Sequence, residues 1–482
     1  MSAISQDKFF IGGEWVSPRS AATIAVHNAS TGERIGTVPE AVEADVDAAV
    51  TAARRAFDDP SGWSSWPRAE RGAALERLAT ELEARGQEIG RLVSMQNGMP
   101  IALSPIIEGM TPVGTLRYVI SLLASAETEE ETARFLGGDL IIRHEPIGVI
   151  AGIVPWNYPQ TLSSFKYAPA LAAGNTIVLK PSPETVLDSY VFAEAVIAAD
   201  LPPGVVNIVP GGRELGAYLV QHKNVDKVAF TGSTAAGRQI AEVCGRLLRP
   251  VSLELGGKSA AIILDDADLD LAKIGQDLFS ATLVNNGQTC YAGTRILAPR
   301  CRYAEVVDVF AAFASSLPVG DALDPATLIG PLVAERQRDR VERYIAKGIS
   351  DGARLVTGGG RPAGLDAGWF VEPTIFADVD NRSTIAQEEI FGPVLSVIEY
   401  ADEDDAIRIA NESDYGLGGS VWTADPARAR RVVRRVRTGT MGINGYLPDP
   451  AGPWGGVKSS GLGRELGPGA IAAYQNLKTV YA

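Results

Sequence analysis

The chain has 482 residues, 46% of them apolar, with 44 basic against 58 acidic side chains and a net charge of −14. That length exceeds what one hydrophobic core organises, so two or three domains are expected. The acidic balance argues against nucleic acid or an anionic membrane as partner. The three cysteines, Cys244, Cys290 and Cys301, form no CxxC pair, so no metal site is expected and the thiols suit a reducing cytoplasm.

In chain order, MSAISQDKFFIGGEW lacks the basic patch and long apolar run of a signal peptide. No later run approaches the ~18 apolar residues of a membrane span. Residues 9–38 alternate around Gly12-Gly13 and Thr31-Gly32 and read as short strands and hairpins. Amphipathic spacing predicts helices near 43–58 and 68–94, the second ended by Asn97-Gly98. A further helical segment, 101–123, is expected to be broken by Pro105 and Pro112. ETEEET (127–132) reads as a solvated acidic stretch, and LIIRHEPIGVI (140–150) as strand.

From 147 the pattern becomes strict alternation. Strands are expected at 147–155, 176–180, 205–210, 226–232 and 251–255. Helices are expected between them at 161–173, 184–199, about 214–221 and 234–247. Short apolar strands alternating with helices imply an α/β fold with a parallel sheet covered on both faces. A second α/β stretch follows, with a strand at 260–264 and others at 353–357, 394–400 and 420–423. Its helices are expected at 268–284, 302–317, 334–350, 402–411 and 425–437. No internal repeat occurs.

The chemistry-bearing stretches each have a bland alternative. NNGQTCYAG (285–293) places Cys290 between small residues, where a thiol can reach a ligand, yet a free cysteine also serves as a small core residue. LELGGKS (253–259) wedges Glu254 between leucines, which desolvates a carboxylate and suits a general base. FTGSTAAGR (230–238) runs from a strand into a helix, the arrangement that receives phosphate, although its spacing is not GxGxxG and glycines also serve tight packing. Lys180 in LKPSPET ends a strand and reads either as a ribose donor or as a solvated loop lysine. Asn157, flanked by prolines in PWNYP, is a fixed amide for an oxyanion or an Asx-turn residue. QEEIFGPV (387–394) sets Glu389 and Phe391 beside a Gly-Pro turn. No histidine falls in any of these blocks, which disfavours a Cys–His hydrolase.

Taken together and in this order, PWNYP, LKPSPET, FTGST, LELGGKS, GQTC, EEIFGPV and SGLGRELG resemble the NAD(P)-dependent aldehyde dehydrogenase superfamily, from about residue 9 onward. The likeness is to its hydrolytic, non-acylating branch, since Glu254 fills a position that the CoA-acylating branch leaves without a carboxylate. A catalytically retired binding paralogue is the other alternative.

The resemblance implies a Rossmann-like cofactor domain (1–123 and 147–255), an α/β catalytic domain (256–445) and a small β oligomerisation element (124–146 and 446–482) in a homodimer or homotetramer. It implies Cys290 as nucleophile, Glu254 as base for the deacylating water, Asn157 as oxyanion amide, and Lys166 and Glu465 as a proton-relay pair. The cofactor surface so implied comprises Pro155, Trp156, Lys180, Ser182, Pro183, Glu184, Gly212, Phe230, Thr231, Gly232, Ser233, Gly237, Leu255, Glu389 and Phe391. Family members that prefer NAD often carry a carboxylate three residues after the lysine matching Lys180. Here that place is Pro183, with Glu184 one later. The reading is NAD with NADP possible, because Glu184 can still reach the ribose and no arginine is expected nearby to receive a phosphate. Tyr158, Thr289, Tyr291 and Tyr446 are expected to line a pocket for an uncharged aldehyde.

Overall fold

The computed structural model describes residues 4–126 and 128–481. Met1–Ala3, Glu127 and Ala482 lie outside the described residues, and with them one end each of the predicted acidic stretch and the last strand. Two large sheets and two three-stranded sheets organise the chain. The first large sheet has the order Gly461–Leu462, Val251–Glu254, Lys227–Thr231, Val149–Ile153, Thr176–Lys180, Val206–Ile208, Phe9–Ile11, Glu14–Val16. Its five central strands are parallel, and the outer ones pair antiparallel. The chain winds outward from Val149–Ile153 in one direction and then restarts on its other side with Lys227–Thr231. The strand order therefore reverses between these two neighbours, and such a switch point leaves a crevice at the carboxyl ends of the strands.

The central strands Lys227–Thr231, Val149–Ile153, Thr176–Lys180 and Val206–Ile208 are buried along their whole length, as expected of a parallel sheet covered on both faces. The helix Pro159–Ala172 is buried on every side. Its Pro159 occupies the first helical position, where no intrahelical N–H is lost, and Gly174 (φ +95°) turns the chain out of it. The second large sheet has the order Arg354–Thr357, Thr374–Ala377, Val394–Tyr400, Arg295–Pro299, Ala260–Ile263, Gly419–Trp422, Gly442–Ile443, parallel except at its first pair.

Three sequence expectations change. Arg295–Pro299 and Thr374–Ala377 are inner strands to which the sequence pattern assigns no element. Residues 101–123 are not broken by their prolines. Pro105 opens a wide turn, Pro105–Met110, and Pro112 stands at the start of the helix Thr111–Ser125, where a missing N–H costs nothing. The acidic stretch is exposed, but Glu129–Ala133 is a strand. It pairs with Asp139–Pro146, which pairs in turn with Gln475–Tyr481.

Among the described residues no helix is long and apolar enough to cross a membrane, and no group of three or more potential ligands could hold a metal ion.

Candidate active site

The crevice at the switch point is a cleft of about 510 Å³ lined by Pro155, Trp156, Lys180, Ser182, Pro183, Glu184, Gly212, Phe230, Thr231, Gly232 and Ser233, among others. The helix Thr234–Arg246 opens onto it, and the Ser233 hydroxyl caps that helix by accepting from the Ala236 N–H at 3.3 Å. A second cavity of about 300 Å³ shares Pro155, Trp156, Thr231, Gly232 and Ser233 as walls and adds Asn157, Leu255, Cys290, Glu389 and Phe391. Trp156 and Phe391 meet edge-to-face at 5.2 Å. Gly237 lines neither cavity; it packs so closely on Leu255 that a Cβ there would lie 2.4 Å from the leucine side chain.

Cys290 is half-buried in the second cavity and sits on a loop that two asparagines hold. Asn285 and Asn286 take left-handed backbone angles, which asparagine tolerates better than most residues. The Asn285 amide donates to the Asn157 carbonyl at 2.8 Å, and Asn286 donates to the carbonyls of Gly98 and Pro331. Asn97 donates to the Trp156 carbonyl at 2.9 Å. Asn157 itself is 3% exposed and donates to the Gln288 carbonyl at 3.0 Å. Its amide nitrogen carries two hydrogens, so this bond leaves one free. Gly257 lets this loop pack against LELGGKS: a Cβ there would lie 2.3 Å from the Cys290 carbonyl oxygen. Burial pushes the Cys290 thiol far up, and the nearby carboxylates of Glu389 and Glu254 push it further. Without a positive neighbour the sulfur is therefore a thiol.

Glu254 ends its strand near enough to Cys290 to act on its titration and is 3% exposed; among the described residues no group makes a full hydrogen bond to either carboxyl oxygen, although the Gly456 backbone bears on it. Burial raises its pKa well above the ordinary range, Glu465 raises it too, and Lys166 pulls it back. Lys166 and Glu465 form an ion pair at 2.9 Å with both side chains sealed from solvent. The ammonium donates to the Thr231 hydroxyl at 2.6 Å as well. The pair depends on a close return of the chain, in which Trp454 and Glu465 exchange backbone hydrogen bonds. Gly455, at φ +144°, comes so near Glu254 that a Cβ would lie 2.6 Å from its Oε1.

Tyr158 and Thr289 share a hydroxyl hydrogen bond of 2.6 Å. Tyr291 packs edge-to-face on Tyr446 at 4.8 Å and on Trp454 at 5.7 Å. These rings pack on the residues either side of Cys290, and neither they nor Thr289 line either cavity.

At the far end of the first cleft the Lys180 ammonium donates to the Gly211 carbonyl at 2.7 Å. Burial lowers its pKa to about 8, so it still carries charge at neutrality. Here the sequence reading needs correction: Arg213 and Arg336 both line this cleft. Arg336 comes from the helix Glu335–Ser350 of the other sheet and makes an ion pair with Glu184. One turn on, Arg340 lines the second cavity and donates to the Glu389 carbonyl at 2.5 Å. Arg336 and Arg340 lie four residues apart on one helix face; that spacing was the available signal, but nothing in the sequence tied that helix to the cleft. The Glu389 carboxyl, raised to about 6 by burial, accepts from the Gly257 N–H at 3.0 Å.

A crevice of this size at a switch point, with a helix N-terminus on one side and a buried lysine on the other, fits an adenine dinucleotide and shares its walls with the cavity that holds a thiol. The molecule is thus a dinucleotide-dependent oxidoreductase that works through a cysteine. Residues 15–480 match the aldehyde dehydrogenase family, and the chain belongs to it. It is 55% identical over 478 residues to geranial dehydrogenase of Castellaniella defragrans, covering 99% of each chain. Its structure resembles that of a Mycobacterium tuberculosis aldehyde dehydrogenase complexed with NAD+, at TM-score 0.97 and 48% identity over 100% of this chain and 99% of that one. It also resembles a cysteine-to-alanine variant of aldehyde dehydrogenase C from Pseudomonas syringae in complex with NAD+ and octanal, at TM-score 0.94 and 39% identity over 98% and 96%. The chain is an NAD(P)-dependent aldehyde dehydrogenase, and the family's reaction runs through a cysteine thiohemiacetal and thioester.

Proposed function

We propose that Cys290 is the nucleophile, Asn157 and the Cys290 N–H the oxyanion donors, and Glu254 the base that completes oxidation to a carboxylic acid. The sulfur attacks the aldehyde carbon, and the free hydrogen of the Asn157 amide meets the negative charge that develops on oxygen. NAD+, when bound, supplies the acceptor for the hydride and a positive ring near the sulfur. Water then attacks the thioester and gives one proton to Glu254; the carbon–sulfur bond breaks, the product leaves as a carboxylate, and the remaining proton of the water returns the sulfur to the thiol. Lys166 and Glu465 lie behind Glu254 and carry that proton away. Lys180 and Glu184 hold the adenine ribose, Ser233 the pyrophosphate, and Glu389 the nicotinamide ribose. Ser182, Pro183, Gly212, Phe230, Thr231, Gly232 and Leu255 shape the cleft, with Gly237 setting the helix against Leu255.

The observation that carries this reading is the desolvated carboxyl of Glu254, without a partner of its own and next to a buried ammonium. Burial that raises the pKa of this acid makes its carboxylate a stronger base, as water activation needs. The experiment is stopped-flow NADH formation with Glu254→Gln and Cys290→Ala. The first variant is expected to give one equivalent of NADH and then stall, with steady turnover down by about 10²–10⁴-fold. The second is expected to lose both phases. Full turnover by Glu254→Gln would remove the carboxylate from the mechanism.

The rings of Tyr158, Tyr291, Tyr446 and Trp454, packed on the residues either side of Cys290, support an apolar aldehyde as substrate, in line with the geranial and octanal named for two of the relatives. The chain is divided as cofactor domain (1–123, 147–255), catalytic domain (256–445) and oligomerisation element (124–146, 446–482). The two large sheets support the first two parts. In the last part, residues 475–481 pair with 139–146, whereas 454–465 close over Glu254. A homodimer or homotetramer is supported by the exposed outer strands of the three-stranded sheet and by Phe135 and Leu136, both bare at the hairpin tip. The acidic composition and sparse thiols support a cytoplasmic setting.

A further inference from the structure

Two buried cations without an acid between them lie away from both clefts, at the amino ends of three neighbouring strands of the second sheet. Lys258 and Ser259 lead into Ala260–Ile263, Arg295 opens Arg295–Pro299, and residues 416–418 lead into Gly419–Trp422. These residues line a cavity of about 10 Å³, room for a single occupant about the size of a water. Lys258 is 2% exposed and Arg295 1%. Among the described residues nothing bonds the Lys258 ammonium, and the Ser259 hydroxyl beside it is also unpartnered. The Arg295 guanidinium donates only to neutral groups, the carbonyls of Lys258, Ile409 and Ala410 and the side-chain oxygen of Asn381. Buried charges are ordinarily paired, because the interior does not replace the hydration they give up. Here the charge that acts most on Lys258 is Arg295, a like one.

The acids nearest these cations are engaged elsewhere. Glu389 accepts from the Gly257 N–H at 3.0 Å, Glu388 from the Tyr344 hydroxyl at 2.7 Å, and Glu412 from Arg408 at 2.8 Å. Asp414 acts on Lys458, which donates to the carbonyls of Asn411 and Ser413 and stands with Arg437 on the positive side.

We propose that this cavity is a binding site for one small monovalent anion such as chloride, held by the Lys258 ammonium and the Ser259 hydroxyl with Arg295 behind them. Sulfate and phosphate are too large for it, and a neutral water would leave both cations uncompensated.

The test uses the intact enzyme freed of halide by dialysis. Thermal melting is followed as chloride replaces gluconate at constant ionic strength, and wild-type crystals are soaked in bromide. The melting temperature is expected to rise by about 1–3 °C and to saturate. An anomalous bromide peak is expected within hydrogen-bond reach of Lys258 Nζ. Burial and Arg295 lower Lys258 to about 7. A lysine so lowered on folding costs stability as pH falls through that value, and an anion offsets the loss. The chloride gain is therefore expected to be larger at pH 6 than at pH 9. Lys258→Met is expected to abolish it; where that variant fails to fold, the bromide peak and the pH dependence of the wild type decide. The proposal is overturned by no bromide peak in the cavity, by a gain equal at both pH values, or by a gain that persists in Lys258→Met. A peak without any gain in solution marks an adventitious ion only and overturns it as well.

Discussion

Two buried carboxyl clusters flank the same helix, Pro159–Ala172, and they differ in what surrounds them. Midway along the helix, Lys166 brings an ammonium to Glu465, and Glu254 lies near enough for both charges to shift its titration. At the helix start, Glu108 accepts from the N–H groups of Gln160 (2.7 Å) and Thr161 (3.3 Å), and Asp188 accepts from the Gln160 side chain at 2.7 Å. Among the described residues no cation is bonded to either acid of this second cluster. Burial raises Glu108 to about 8 and Asp188 to about 7. A desolvated acid beside a cation and a cavity can move protons. The same acid spent on backbone amides anchors a helix instead. Asn157 and Tyr158 lie just before that helix, so the anchoring cluster also fixes the proposed oxyanion amide.

The largest change that would break this contrast is Lys166→Met. It removes the ammonium paired with Glu465, leaving Arg464 to act on Glu254 and Lys227 on Glu465, and kcat for steady turnover is expected to fall by about 10²-fold or more. The ammonium lowers the pKa of Glu254, so its loss is expected to move the rising limb of the kcat–pH profile to higher pH. An unmoved limb would separate Lys166 from the base. Asn157→Ala tests the junction between the clusters. Losing one oxyanion donor is expected to cost about 10²–10³ in kcat, or roughly 3 kcal/mol, with the NADH burst slowed rather than abolished.

The smallest expected effect is Glu108→Gln, read in the melting temperature across pH. Glu108 and Asp188 have folded-state pKa values above their unfolded ones. The stability they contribute is full below about pH 4 and is lost as pH rises through about 7 and 8. Wild type is therefore expected to lose several degrees of Tm between pH 6 and 9, and Glu108→Gln to flatten that slope without moving the kcat limb. A slope unchanged in the variant would show that this acid is already ionised in the fold.

The sequence carried the first sheet well because its signal is local. Strands such as Val149–Ile153 and Thr176–Lys180 are short apolar runs between turn residues, and burial on both faces leaves that mark on composition. Arg295–Pro299 gave no such mark. Its arginine is buried by bonding the carbonyls of Lys258, Ile409 and Ala410, and partners that distant are not visible in a window of residues. The candidate site divides the same way. Cys290, Glu254 and Asn157 sit in blocks whose neighbours restrict them. Asn97, Asn285 and Arg336 matter only through residues far away in sequence, as the pairing of Arg336 with Glu184 shows.

The strand Gly461–Leu462 lies at the edge of the first sheet, directly beside Val251–Glu254. During synthesis the five parallel strands leave the ribosome long before it does. The nascent protein can thus hold a complete nucleotide crevice while the compartment around Glu254 is still open to water and Lys166 lacks its acid. The compartment around Glu254 is complete only once the final stretch of translation has supplied Gly461–Leu462 and Glu465.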